Sequence, residues 1–259
     1  MPHIIRYCTK THKGLKKLSN EDSFVVIDDI SIKSGLRDDR AAALFAVADG
    51  ISGRIGGKKA SNMAVSCLRK YFEGHQKGNI VGGEKEENLK VLERLIFEIH
   101  EKISMTSDKV EKCRYMGTTL SLLLVHKMSA LIAHVGDSRI YRLRSGNLIK
   151  LTHDDTVAQL SMEMGHMGAE EAERHPLRHA LSQALGQGVD MVQLRFEELR
   201  AGDIFLLCTD GLYETVPEKE IKDLLEAGVM GSQVCDSLVC RALGGGGPDN
   251  ITVIVVQVL

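Results

Sequence analysis

Five aspartates stand where short apolar segments of the chain begin or end, and their placement suggests a shared chemical task. They are Asp22, Asp49, Asp137, Asp210 and Asp249. A carboxylate at the tip of a buried strand is costly unless it is paired or bound to a cation, while strand ends are stiff enough to hold ligands in place. A single Asp-Gly or Asp-Asn pair is also a common turn signal. Because the pattern recurs five times, it predicts a metal cluster.

The atoms available at these positions indicate the kind of metal. Carboxylate and backbone carbonyl oxygens suit hard cations such as magnesium or manganese. Gly50, directly after Asp49, would let a backbone carbonyl come close to an ion. The sequence offers no cysteine or histidine cage for zinc.

The elements that must position these aspartates can be predicted from apolar patterns. Apolar residues recur three and four positions apart over 60–71, 89–103 and 221–225, which predicts helices with one buried face. These helices cluster between groups of strands instead of alternating with them, which favours antiparallel sheets faced by helices. Runs of apolar and β-branched residues predict strands at 23–27, 42–48, 118–125, 131–135, 140–143, 204–208 and 251–258.

Composition limits the classes of protein to which the chain can belong. Its 259 residues carry 33 Lys and Arg against 35 Asp and Glu, so a formal charge of −2 gives no reason to expect nucleic acid or an anionic membrane as partner. No apolar stretch approaches the roughly 18 residues of a membrane span, and the first residues lack the pattern of a secretory signal. We therefore expect a cytoplasmic protein with one domain over 1–259.

Cysteines and irregular segments complete the expectations from residue type. Six scattered cysteines without a Cys-x-x-Cys pair predict reduced thiols, buried as small core residues at Cys67, Cys208 and Cys235. The glycine-rich and charged segment 74–87 is expected to be a surface loop. The longer irregular segment 165–188 is a candidate flap over the site.

Taken in order along the chain, the motifs around the aspartates resemble the metal-dependent protein phosphatase family, type 2C, in its short bacterial form. The resemblance extends from about Lys17 to Val256. It rests on Asn20-Glu21-Asp22, Val47-Ala48-Asp49-Gly50, Gly117-Thr118-Thr119, Gly136-Asp137-Ser138-Arg139, 181–186, Thr209-Asp210-Gly211-Leu212 and Gly247-Pro248-Asp249-Asn250.

This resemblance implies an α+β fold: a four-layer α-β-β-α sandwich, with two antiparallel sheets flanked by helices and the metal centre at one end. It implies that Asp49 bridges two cations, that Asp210 and Asp249 hold one of them, and that the carbonyl of Gly50 contacts the other. Glu21 and Asp22 would act on that second cation, directly or through water.

The resemblance further implies a third, weaker cation near Asp137 and Asp210. The expected activity is hydrolysis of phosphoserine and phosphothreonine in proteins, by a hydroxide formed between two cations that lower the pKa of water. The substrates would be phosphoproteins of an opposing serine/threonine kinase, and the protein a monomer. Two alternatives stay open: a phosphatase-like module that only binds phosphoproteins, and a metallohydrolase of small phosphomonoesters.

Two positions depart from the pattern of the family. Lys17 stands where an arginine usually grips the phosphate, so it is either a phosphate ligand or a solvated surface lysine. Ile51 stands where animal members have a histidine proposed as the general acid, and Ile51 cannot donate a proton. His134 and His153 are expected to be packed residues and not catalytic ones.

Overall fold

The computed structural model describes residues 5–28, 42–51, 56–73, 85–109, 113, 115–227 and 232–259. Within these ranges two antiparallel sheets of five strands each are stacked between helices. This is the predicted four-layer sandwich. Most of the predicted surface loop at 74–87 lies outside the described residues.

One sheet brings the two ends of the described chain together. Its strands, in spatial order, are β1 (Ile5–His12), β10 (Ile251–Val258), β9 (Ile204–Cys208), β6 (Arg139–Arg144) and β7 (Asn147–Lys150). Every pairing in it is antiparallel.

The second sheet is built from strands that are closer in sequence. Its spatial order is β2 (Ser23–Ile27), β3 (Ala42–Ala48), β4 (Leu120–His126), β5 (Ser129–Val135) and β8 (Gln193–Glu198). These pairings are antiparallel as well.

Helices cover the outer face of each sheet, and two short ones lie near the predicted flap. Apolar residues of the two long helices pack on the second sheet, and those of three later helices pack on the first. The helices are α1 (Gly56–Glu73), α2 (Lys85–Lys109), α3 (Val157–Glu163), α4 (Ala169–Arg174), α5 (Asp210–Tyr213), α6 (Glu218–Glu226) and α7 (Ser232–Gly244). Among the described helices, none is long and apolar enough to cross a membrane.

The core between the sheets explains why central strands read as continuous apolar runs. All seven residues of β3 are buried, because alternate side chains face the other sheet and the helices. Phe45 packs between the sheets with Phe205 and Ile254, whereas Leu44 packs toward the helices. Because both faces of β3 are buried, its sequence does not alternate between apolar and polar residues.

The strand registers bring the loops that carry the aspartates to one end of the sandwich. His12 at the end of β1 pairs with Ile251 at the start of β10, and Ser23 at the start of β2 pairs with Ala48 at the end of β3. Arg139 at the start of β6 pairs with Cys208 near the end of β9. The segments just beyond these pairs therefore meet at one end, as the strand-end pattern predicted.

One expectation from residue type is wrong. Cys8 of β1 and Cys235 of α7 form a disulfide, with Cα atoms 6.2 Å apart, within the usual range for such a bond. The two cysteines are 227 residues apart, and only the packing of α7 against β1 brings them together. Cys67, Cys113 and Cys208 have free thiols, and Cys208 is buried as expected.

Candidate metal centre

Asp22 is the most deeply enclosed carboxylate at this end of the sandwich. Its Oδ2 accepts hydrogen bonds from Thr252 Oγ1 at 2.6 Å and Thr209 Oγ1 at 2.9 Å. Its Oδ1 is buried and accepts no hydrogen bond. Burial raises the pKa of Asp22 to about 6, although the two hydroxyl bonds oppose the rise. The two threonines thus fix one oxygen and leave the other for a ligand.

Asp49 is held in place through its backbone by two threonines. Thr118 Oγ1 donates to the Asp49 carbonyl at 2.8 Å, and the Asp49 N–H donates to Thr119 Oγ1 at 2.9 Å. Burial, followed by repulsion from the carboxylates of Asp22 and Asp210, holds the pKa of Asp49 well above its usual range. Such a site favours a cation that would offset the repulsion.

Asp210 opens the short helix α5 directly after strand β9. Its Oδ1 is buried and without a hydrogen-bond partner. Burial, and then repulsion from Asp137 and Asp249, raises the pKa of Asp210 well above its usual range. Asp210 therefore resembles Asp22 in carrying an oxygen that the protein itself leaves unsatisfied.

Lys17 lies at this end of the sandwich, and its side chain is 32% exposed. Its Nζ is 2.8 Å from Oδ1 of Asp249, which also accepts the N–H of Asn250 at 2.7 Å. Burial lowers the pKa of Lys17, but the bond to Asp249 and the charges of Asp49 and Asp210 outweigh it, so the net pKa is raised. Lys17 therefore keeps its positive charge among the carboxylates.

Gly50 and Glu21 meet where three backbone segments converge. A Cβ on Gly50 would collide with the backbone of Gly57 and lie 2.8 Å from the carbonyl oxygen of Glu21. The carboxylate of Glu21 lies against Gly57, and its N–H donates to Asn250 Oδ1 at 2.7 Å. Only glycine therefore fits at position 50, because the backbones of Gly57 and Glu21 approach it so closely.

Asp137 occupies the turn between β5 and β6 and is 7% exposed. Burial, and next the charge of Asp154, raises the pKa of Asp137 to about 7. Arg139 does not use Asp137 as its partner, because its guanidinium is held by both oxygens of Asp154, with Nη2–Oδ2 at 2.6 Å. Arg139 also lies 3.6 Å above the ring centre of Tyr213, whose hydroxyl donates to the Asp137 carbonyl at 3.0 Å. Arg139 is therefore fixed without the carboxylate of Asp137.

The five aspartates are thus close enough to act on one another's charge. In the described part of the chain, however, no three acidic, histidine or cysteine side chains already form a group that could hold a metal ion. The all-oxygen donor set and the orphaned oxygens of Asp22 and Asp210 fit divalent cations in type.

Asn250 holds the loop of Lys17 in place, a role that the sequence analysis did not assign to it. It is 2% exposed, and its Nδ2 donates to the carbonyls of Lys13 at 2.8 Å and Ser19 at 2.9 Å. With its bond to the Glu21 N–H, it anchors the loop that carries Lys17. Its place directly after Asp249 was the available signal, since a buried amide can satisfy several backbone groups.

We expect Asn250→Ala to destabilise the protein and weaken phosphate binding together. Three backbone groups would lose their partner, which should lower the free energy of unfolding by about 2–4 kcal/mol. The looser loop should also raise KM for phosphorylated substrates more than it lowers kcat. Urea denaturation and steady-state kinetics measure the two effects, with Asn147→Ala in exposed β7 as control. Unchanged stability would show that the loop is held by other contacts.

His134 is packed, as predicted, and lies behind the turn of Asp137. Its ring is fully buried, with Nδ1 2.8 Å from Ser121 Oγ and Nε2 2.8 Å from the carbonyl of Gly136. Burial lowers the pKa of His134. The side chain of His153 is exposed, so the expectation that it is packed is wrong.

Cys235 and Arg241 have the Cys-x5-Arg spacing of phosphatases that use a cysteine nucleophile. Both residues lie within helix α7, and Cys235 is bonded to Cys8. Arg241 forms an ion pair with Glu220. A thiolate nucleophile is therefore not available at this position.

The predicted flap, 165–188, borders a cavity of about 340 Å³ beside Asp137. Its base is held to the rest of the fold by the bond from Val157 N–H to the Ala180 carbonyl at 2.8 Å. His179 Nδ1 lies 2.6 Å from Glu214 Oε1. Arg178 and His179 line the cavity from the flap side.

Comparison with known proteins gives one consistent family. Residues 17–236 match the family described as protein phosphatase 2C. The chain is 34% identical over 257 residues to serine/threonine protein phosphatase PstP of Mycobacterium tuberculosis, covering 99% of this chain and 45% of that protein. It is 32% identical over 249 residues to serine/threonine phosphatase stp of Listeria welshimeri, covering 96% and 94%. The chain thus spans about half the length of the first relative and nearly all of the second.

A solved structure has a fold similar to that of this chain. The crystal structure of the catalytic domain of PstP in complex with two manganese ions has 31% sequence identity to this chain and a TM-score of 0.79, covering 99% of each chain.

Two antiparallel sheets between helices, with carboxylates gathered at one end, form the architecture that the resemblance implied for a metal-dependent phosphatase. The chain belongs to the protein phosphatase 2C family. The predictions of family and fold are confirmed. The relatives are named serine/threonine protein phosphatases, and the PstP domain was crystallised with two manganese ions.

Proposed function

We propose that this chain hydrolyses phosphoserine and phosphothreonine in proteins with divalent cations, manganese or magnesium, held at the strand ends described above. The observation that carries the proposal is the pair of orphaned, buried oxygens on Asp22 and Asp210 among carboxylates of raised pKa. The proposed metal-binding residues are Glu21, Asp22, Asp49, Gly50, Asp137, Asp210 and Asp249.

Two bound cations would supply an activated hydroxide and offset the charge of the phosphoryl oxygens. Asp49 would bridge the two, while Asp210 and Asp249 serve one and Asp22 with Glu21 serves the other. Lys17, which is already charged at this end, would attract the phosphate and hold it as a point charge. Ile51 donates no proton, so protonation of the leaving oxygen falls to another group.

We also propose that residues 1–259 form one catalytic domain, working as a monomer in the cytoplasm against a serine/threonine kinase. Support for the kinase comes from the chemistry, because a phosphatase of this class needs substrates phosphorylated on the same residues. We propose that segment 165–188 is a mobile flap that selects phosphoproteins, since it borders the cavity beside Asp137.

Hydrolysis of a phosphothreonine peptide and of para-nitrophenyl phosphate, measured with manganese, magnesium or a chelator, tests the proposal. We expect turnover of both substrates with either metal and essentially none with the chelator. Binding of the phosphopeptide without turnover would instead indicate a binding module. Turnover of small phosphomonoesters alone would indicate the metallohydrolase alternative.

A further inference from the structure

The loop that leaves β1 at the metal end presents apolar side chains beside the proposed phosphate-binding lysine. We propose that this loop, residues 13–18 and here named the entrance loop, docks the phosphoprotein substrate through Leu18 and Leu15. These leucines would receive an apolar side chain near the phosphorylated residue. The inference rests on the proposed function and specifies its substrates further.

The entrance loop is fixed in place by hydrogen bonds. Asn250 Nδ2 donates to the Lys13 carbonyl at 2.8 Å, and the N–H of Leu15 donates to the carbonyl of Gly247 at 2.8 Å. Gly14 has a φ of +75° and lies so close to the carbonyl of Asp249 that a Cβ would collide with it. The loop is therefore seated directly on a proposed metal-binding segment.

Two leucines of this anchored loop face solvent. Leu18 is 99% exposed and Leu15 is 63% exposed. Isolated exposed leucines are common on protein surfaces. Here, however, both are held within four residues of each other on a loop that contacts the metal end. Leu18 buries almost no surface within the chain, so its hydrophobic free energy is available only to a partner.

Charge distinguishes the kind of partner. Lys13 and Lys16 are exposed and form no ion pair with the described residues, while Lys17 contacts Asp249. Exposed lysines beside exposed leucines complement a peptide that carries a negative charge and an apolar side chain close to it. Residues one to three positions from the phosphorylated one lie within about 10 Å of it in an extended peptide. Leu18 directly follows Lys17, whose Nζ contacts Asp249 of the proposed metal centre.

The small apolar surface of the entrance loop favours a peptide segment over a second copy of the chain as the partner. Stable protein interfaces bury roughly 800 Å² on each partner. Two leucine side chains with their lysine neighbours supply only a fraction of that area. A short phosphorylated segment needs far less, because most of its binding energy would come from the phosphate at the metal centre.

The test uses phosphothreonine peptides that carry leucine at one position at a time, from three residues before to three after the phosphothreonine. We expect the wild-type protein to prefer one of these over the all-serine peptide. Leu18→Ala should raise KM for that peptide roughly five- to tenfold, with little change in kcat. Neither the all-serine peptide nor para-nitrophenyl phosphate should be affected. Leu15→Ala should act in the same direction.

Met128→Ala is the matched control, because Met128 is 51% exposed in the turn between β4 and β5, at the opposite end of the sandwich. Equal effects of Leu18→Ala on all substrates, or none on any, would overturn the docking role. Fluorescence anisotropy with a non-hydrolysable phosphonate analogue of the preferred peptide measures binding to the manganese-loaded protein. This tests the docking role independently of turnover. Absence of all hydrolysis, with leucine-dependent binding retained, would refute the proposed function and leave the docking site standing.

Discussion

Asp210→Asn is expected to lower kcat on phosphothreonine peptides by roughly 10³-fold or more while leaving the fold intact. The change removes a charge that would hold a cation and keeps the shape of the side chain, so several kcal/mol of transition-state stabilisation should be lost. Asp49→Asn should behave alike. Circular dichroism of both variants checks the fold, and steady-state kinetics with saturating manganese measures the loss.

The same variant should be more stable than wild type when no metal is present. Burial and neighbouring carboxylates raise the pKa of Asp210 in the folded protein, so its ionisation destabilises the fold as pH rises through that pKa. A neutral asparagine avoids this cost. We therefore expect a higher Tm for Asp210→Asn in chelator at pH 8, a smaller difference at pH 5, and a weaker rise of Tm with manganese.

Asp203→Asn is the matched control, because Asp203 is a buried carboxylate outside the proposed metal centre. Asp203 is fully buried before β9, at the other end of the sandwich, and its Oδ1 lies 2.6 Å from Nε of Arg144. Its loss should lower Tm with or without manganese and change kcat little. Near-normal turnover in Asp210→Asn would contradict the assignment of the metal centre.

Sequence predicted the strands rich in apolar residues and missed three strands that bury few side chains. The bounds predicted for β2, β3, β9 and β10 agree with the structure. The three missed strands, β1, β7 and β8, all lie at sheet edges, where few side chains are buried. An edge strand needs less apolar surface, so its sequence resembles a loop.

The disulfide was not predicted because helix α7 was not predicted. Val234, Leu238 and Ala242 repeat at four-residue spacing and are buried, a sufficient signal for α7. Without α7 and β1, nothing in the sequence places Cys235 beside Cys8. The expectation of six reduced thiols was therefore wrong, because the sequence alone does not show that α7 packs against β1.

The aspartates of the site were predictable, but the residues that orient them were not. Strand ends give a local signal for Asp22, whereas its partners Thr209 and Thr252 lie 187 and 230 residues away in the chain. Their hydroxyls belong to strands of the other sheet or to its loops. Such partnerships depend on register, which a single sequence specifies only weakly for distant strands.

Asp137→Ala is expected to impair hydrolysis of phosphothreonine peptides about 10- to 100-fold more than hydrolysis of para-nitrophenyl phosphate. The alkoxide leaving group of threonine needs a proton, whereas nitrophenolate leaves readily without one. We propose that Asp137 and Asp210 share a weakly held third cation that assists this protonation or orders the flap. Kinetics over a manganese titration should then show a low-affinity phase that the variant lacks.

Thermal stability measured without metal separates this role from a purely structural one. A structural Asp137 would be needed to fix Arg139, but Arg139 is already held by Asp154 and stacked on Tyr213. Asp137→Ala should therefore keep or raise its Tm in chelator, whereas Asp154→Ala should lower it. Equal losses on both substrates, or a fall in the Tm of Asp137→Ala without any change in metal dependence, would assign Asp137 to the turn alone.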